Sequence, residues 1–418
     1  MSDKFAHSDG PVAADRRDER LRQSEGIRGT ITGSVERVRS GDLGMIPVVA
    51  GLVVIWTVFE ILNPIFLSSA NLSNLATESV PVGVLALGIV VVLLVGQIDL
   101  SVGSVSGLSA GILAVTFVNL RWPIGAAIIA ALAAGFVIGW IYGQVFNRFG
   151  VPSFVVTLAG LLSFLGLQLA ILGARGAINI PFESPLVGFA ELAFVPDWLS
   201  YLLGLLAALG LFASGYFLAR ARRTAGLSAR SLQALMMRSL ALLVVLEFAA
   251  WYLNQGRGVG WMFVFFVLLV IAMNYLLTRT KWGRSVFAVG GNAEAARRAG
   301  INVNSIYAST FIICSTLAAL GGILAAARLA AANQGSGGGD VNLNAIAAAV
   351  IGGTSLFGGR GTAFAALLGV VVIQSISSGL TLLNFSSAIR FEVTGVVLLL
   401  AVALDSVARR SRASHGRA

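Results

Sequence analysis

Histidine, cysteine and lysine are nearly missing from this chain. Its 418 residues include two His, one Cys and two Lys. His7 and His415 lie in the polar ends, and Cys314 stands alone in an apolar run. These residues are too few to ligate zinc, and a lone cysteine excludes an internal disulfide. No Cys–His nucleophilic pair is available within the apolar segments. Cys314 reads as a small buried hydrophobe. Charge is also scarce, at 11% of residues, against about 25% in an ordinary soluble domain. So long a chain with so few charges does not cover a water-facing surface. A Walker loop is absent too. Gly352–Gly361 contains Gly-Gly-Arg-Gly but no following Lys-Ser/Thr, so any ATP used belongs to another subunit.

What is present is apolar. Hydrophobic residues make up 57% of the chain, and the mean hydropathy is +0.87. The fold class that follows is an all-α integral membrane protein, a polytopic helical bundle. The apolar runs are continuous, without the period-two alternation of barrel strands. Glycine, 49 residues in all, suits close packing between membrane helices.

A span needs about 20 apolar residues. On that rule twelve spans are expected, at 45–66, 79–96, 101–119, 123–147, 153–173, 199–219, 239–255, 259–278, 306–327, 343–358, 362–383 and 391–408. The second, third and tenth are short and broken by glycine. Residues 1–44 carry eight basic and eight acidic groups and read as a disordered cytoplasmic tail. They contain no apolar stretch of the signal-peptide kind. Residues 409–418 form a second cytoplasmic tail, and 45–408 the membrane domain.

The formal charge is +10, and 27 of the 29 basic residues are Arg. In a soluble protein that balance points to nucleic acid; here membrane topology explains it. With the N-terminus cytoplasmic, 24 basic residues fall inside and five outside. That bias places both termini in the cytoplasm.

Asp99 follows an aliphatic run and precedes a Ser/Gly-rich one. A buried charge at that depth costs about 2.5–3.5 kcal/mol on insertion scales. Three roles are open: an N-cap for the helix beginning near Ser101, a contact to substrate hydroxyls, or proton coupling. Glu60 and Glu247 are the other acids inside apolar runs, with Glu60 near an outer end and Glu247 in mid-span. Segment 96–103 overlays weakly on 352–359, with Gly96, Leu100 and Gly103 matching Gly352, Leu356 and Gly359. Repeated, glycine-interrupted spans are a pointer to a transport path. Gln97, Asp99, Ser101, Asn342, Asn344, Thr354 and Ser355 are therefore the candidate path residues. The stretch 332–340 reads as a flexible polar outer loop.

The stretch 288–303 reads as a short amphipathic helix. Asn292 is its N-cap, Glu294 complements its N-terminus, and Gly300 provides a left-handed stop. Ala295 and Ala296 belong to a small-residue face suited to a partner's groove, and Arg297 and Arg298 are available to acids. An ordinary solvated loop helix is the other reading.

Four motifs carry a family resemblance: Gln97-Ile-Asp-Leu-Ser-Val-Gly-Ser104, Val151-Pro-Ser-Phe-Val-Val-Thr-Leu-Ala-Gly160, Gly290-Gly-Asn-Ala-Glu-Ala-Ala-Arg297 and Ala347-Ala-Ala-Val-Ile-Gly-Gly-Thr-Ser-Leu356. In this order they resemble the permease subunits of bacterial ATP-binding-cassette (ABC) importers for monosaccharides, the ribose/xylose/galactose group. The xylose type is the best match, because 199–255 adds a helix pair to the ten-span core of the ribose type. The resemblance implies sugar import by alternating access in the bacterial inner membrane. It implies an ABC ATPase that uses ATP and Mg, a periplasmic sugar-binding protein and a second permease, most simply an identical copy. It also implies that 291–301 couples to the ATPase and that this chain binds no cofactor or metal of its own. The family usually has Gly or Glu at Gln97, and often acids at Asn342 and Asn344. An ion-coupled secondary sugar transporter is the competing class, with only Asp99, Glu60 and Glu247 to carry the coupling.

Overall fold

In lipid an apolar run has one open-chain way to satisfy its backbone, the α-helix. The computed structural model describes Ile46–Ser414 and is helical over most of that length. The expected tail at 1–44 and the last residues of the expected C-terminal tail lie outside the described residues. Each of the twelve expected spans overlaps a helix. Among the described residues, nine helices are long and apolar enough to cross a membrane.

The helices that correspond to the expected spans are α1 (Ile46–Leu62), α2 (Ser69–Leu94), α3 (Val102–Ala114), α4 (Ile124–Phe149) and α5 (Ser153–Leu172). They continue with α6 (Asp197–Thr224), α7 (Leu232–Asn254) and α8 (Trp261–Arg279). After the short α9 (Lys281–Gly291) and α10 (Ala293–Arg298) come α11 (Val303–Leu329), α12 (Val341–Ile351), α13 (Phe364–Leu382) and α14 (Ser387–Ser414). The last helix runs through the boundary expected at residue 408. The tenth expected span is also revised: the helix stops at Ile351 because Gly352 and Gly353 turn the chain.

Two compact units are present. One, Pro196–Gln255, is the α6–α7 hairpin. Ser231 caps α7 by accepting from Ala234 N at 3.3 Å. Glu247 lies with its carboxylate against Gly204 of α6, so this mid-span acid faces its partner helix.

The other unit holds the remaining helices. Its centre is α11, packed on α2, α3 and α4. The approach to α4 is close because Gly135, Gly139 and Gly143 form a stripe at four-residue spacing against the α11 backbone. A Cβ at Gly139 would stand 2.6 Å from Ile312 Cα. The two ends of the sequence interrupted by α6–α7 are joined here, with Val195 N donating to Val259 O at 2.8 Å. Glu60 accepts from Leu67 N at 2.9 Å and closes the α1–α2 turn. A two-stranded sheet, β1 (Ala177–Asn179) with β2 (Ala331–Asn333), is antiparallel with Ile178 opposite Ala332. It ties down the start of the stretch expected to be a flexible loop. Gln168 of α5 then holds that stretch by donating to Asn333 O at 3.0 Å and Ser336 O at 2.9 Å.

Candidate functional site

The break between α2 and α3 forms the first part of the site. Gly96 takes a left-handed φ of 72°, which ends α2 and frees residues 97–101 from helical pairing. Three side chains from two other helices, α5 and α12, satisfy that backbone. Ile98 N donates to Ser153 Oγ at 3.3 Å, and Leu100 N to Thr157 Oγ1 at 3.1 Å. Asn342 Nδ2 donates to Leu100 O at 2.8 Å.

Asp99 sits within this braced loop and is 1% exposed. Its Oδ1 accepts from Ser101 N at 2.8 Å and from Ser101 Oγ at 2.7 Å. Tyr142 OH donates to Ser101 Oγ at 2.7 Å. The result is a buried relay, Tyr142 to Ser101 to Asp99. Cys314 lies beside the same carboxylate. The N-cap expectation needs one correction: Ser101 holds the cap position of α3. Asp99 instead bonds the backbone of that cap residue, because its side chain reaches two residues forward as an Asx turn does.

The second part is a junction of three chain segments. Gly290, at the end of α9, packs against Leu94 O and Gly359 N, and a Cβ there would overlap both. Gly359 N donates to Leu94 O at 2.9 Å. Gly96 approaches Phe357 O and Gly358 of the other glycine segment. The two arms of the weak internal repeat therefore meet beside the end of α9.

The third part is α10. Asn292 caps it, with Oδ1 accepting from Ala295 N at 2.9 Å. Gly300 ends the turn at φ 83°. Glu294 pairs with Arg297 at 2.9 Å and with Arg298 at 3.4 Å, all three exposed. The two arginines thus already have an acid on their own helix. The expected small face divides: Ala296 is buried against the core while Ala295 is exposed.

The candidate path residues do not share one surface. Asp99, Ser101 and Asn342 belong to the braced loop. Thr354 is buried at the glycine junction, and Ser355 Oγ accepts from Phe357 N nearby at 3.2 Å. Gln97 reaches the Tyr307 side chain. Asn344 donates to Asp340 Oδ2 at 2.9 Å, at the start of α12. Tyr142 and Gln168 were not anticipated from the sequence. Each is a hydrogen-bonding side chain inside an apolar helix, and that was the available signal. No group of three or more His, Cys, Asp or Glu able to hold a metal occurs among the described residues.

Residues 71–402 match the family described as branched-chain amino acid transport system / permease component. The chain belongs to this permease family. It is 34% identical over 381 residues to the xylose transport system permease protein of Escherichia coli K12, covering 91% of this chain and 96% of that one. The Haemophilus influenzae protein of the same description is 33% identical over 371 residues, 88% and 98% of the two chains. The ribose import permease protein of Escherichia coli K12 is 31% identical over 355 residues, 85% and 91%. No solved structure matches significantly. The permease is a multi-pass membrane protein and one component of a transport system. Its buried acid and its glycine junction are thus features of a transport subunit.

Proposed function

We propose that this permease is the membrane-spanning subunit of an ATP-driven importer of xylose or a closely related monosaccharide. The observation that carries the reading is its likeness to the xylose permeases along nearly the whole of both chains. The family description names amino acid systems, but the relatives that match over this length are named for sugars. In this reading the chain lies in the bacterial inner membrane with both termini in the cytoplasm. Twelve spans comprise a ten-helix core and the α6–α7 insertion. Two permease copies form the path, and a periplasmic binding protein delivers sugar. A separate ATPase holds ATP and Mg, so this chain is not itself an enzyme.

The exposed α9–α10 segment is the ATPase contact. Asn292, Glu294, Ala295, Arg297 and Arg298 are on its surface, and Gly290, just before α10, packs against the α2 terminus. A push on α10 thus reaches the break that carries Asp99 without crossing a flexible linker. ATP binding closes the ATPase pair, and the path changes the side to which it opens.

Co-purification of the tagged permease in mild detergent tests this. The wild type retains an ATPase and Glu294→Arg loses it. Recovery of no ATPase by the wild type, together with xylose uptake abolished by collapse of the proton gradient at constant ATP, would replace the importer by an ion-coupled carrier.

A further inference from the structure

A polar cavity of about 220 Å³ lies where the N-terminus of α12 meets the last turns of α13 and the first turns of α14. It is smaller than the ~300–1,000 Å³ typical of pockets for drug-sized ligands, and so suits a smaller solute. Two opposite charges line it, Asp340 and Arg390. Each is held in place by a neighbour. Asn344 Nδ2 donates to Asp340 Oδ2 at 2.9 Å. Arg390 donates to Thr381 Oγ1 at 3.1 Å and to Ser387 Oγ at 2.8 Å. The two charges do not pair with each other. The carboxylate keeps acceptor capacity and the guanidinium keeps donors. Ser377 and Thr394 add hydroxyls to the wall, while Ile373 and Phe391 supply apolar surface.

We infer that this cavity is a monosaccharide-binding station of the permease. The inference rests on the importer reading above and adds the place where sugar is held. A sugar hydroxyl both donates and accepts, so neighbouring hydroxyls bridge a fixed carboxylate and a fixed guanidinium. The pair carries no net charge and does not favour an ionic solute. A zwitterionic amino acid also complements opposite charges. Its aliphatic side chain, however, cannot pair the hydroxyls of Ser377 and Thr394, as a polyol can. The hydroxyl-rich wall favours the polyol. Asp340 and Asn344 both belong to the first turn region of α12. The far end of that helix leads into the glycine segment that packs against Gly290, so α12 and the turn after it run from the station to the ATPase contact.

Site protection tests the station. The only natural cysteine, Cys314, is buried, so Ser377→Cys creates a single accessible thiol. The variant is purified in lipid nanodiscs and labelled with a water-soluble maleimide. Xylose or ribose is expected to slow labelling by about tenfold or more, as losing access to a hydrogen-bonded site implies. Leucine leaves the rate unchanged, and adding Arg390→Gln removes the sugar protection. A thiol that does not label, that no monosaccharide protects, or that leucine protects equally overturns the station. Bound ATPase is assayed in the same preparation. Its presence with no sugar protection refutes the station alone, and its absence refutes the importer reading.

Discussion

Two adjacent glycines give a sharp test of the junction. Gly290 has no room for a side chain: a Cβ would fall far inside contact distance of Leu94 O and lie 2.6 Å from Gly359 N. Both obstacles are backbone atoms, and they are hydrogen-bonded to each other at 2.9 Å. They cannot rotate aside as a side chain would. Gly291, one residue on, would place its Cβ in open space. Neither glycine has a positive φ, so backbone strain is not the difference. Overpacking of this kind costs about 1–3 kcal/mol. That is about one to two orders of magnitude in any equilibrium that requires α9 seated on the end of α2. Gly290→Ala should therefore lower the thermal midpoint of the purified permease and reduce ATP-driven uptake at equal membrane abundance. Gly291→Ala should leave both near wild type. Equal behaviour of the two variants would refute the claim that this packing transmits force.

Other outcomes follow from single contacts. Tyr142→Phe removes the donor to Ser101 Oγ and is expected to cost about 0.5–1.5 kcal/mol, read as a lowered midpoint in detergent; no change would mean that the relay is slack. Gln168→Leu leaves the carbonyls of Asn333 and Ser336 without this donor. Amide exchange in 331–340 should rise, and an unchanged exchange pattern would show that the β1–β2 pair suffices. Arg297→Ala breaks an exposed pair worth about 0–1 kcal/mol. Stability should stay put while ATPase retention falls; loss of both would assign Arg297 to the fold.

Long apolar runs fixed most helices in advance, because lipid leaves the backbone no other solution. The end of the tenth expected span was misplaced on this logic. Composition counts 343–358 as apolar, but Gly352 and Gly353 end the helix five residues or more before the run does. The cap at α10 was legible from Asn292 and Gly300, since both act through local geometry. The Asp99 cap missed by two residues: an Asp that bonds the backbone of the cap residue and one that is itself the cap differ only in backbone angles. The repeat reads as a pointer to a transport path, and its two segments prove to lie against each other. Their third partner, Gly290, gave no sign, because close approach depends on tertiary placement. The stretch 332–340 looked mobile because Gly and Ser dominate it, and its restraint comes from Gln168 more than 160 residues away.

The shortness of α12 has a further consequence. Its 11 residues span about 16 Å at ~1.5 Å per residue, roughly half of a hydrocarbon layer ~30 Å thick. The rest of that crossing falls to irregular backbone on either side. Its polar groups are tolerated at membrane depth only against protein or water. Some are answered internally, as where Thr354 N donates to Ala349 O at 3.0 Å and Ser336 N to Asn333 O at 3.0 Å. Those left over need protein or water beside them. The two flanks of α12 are therefore the stretches of this crossing that neighbouring protein has to cover or water has to reach.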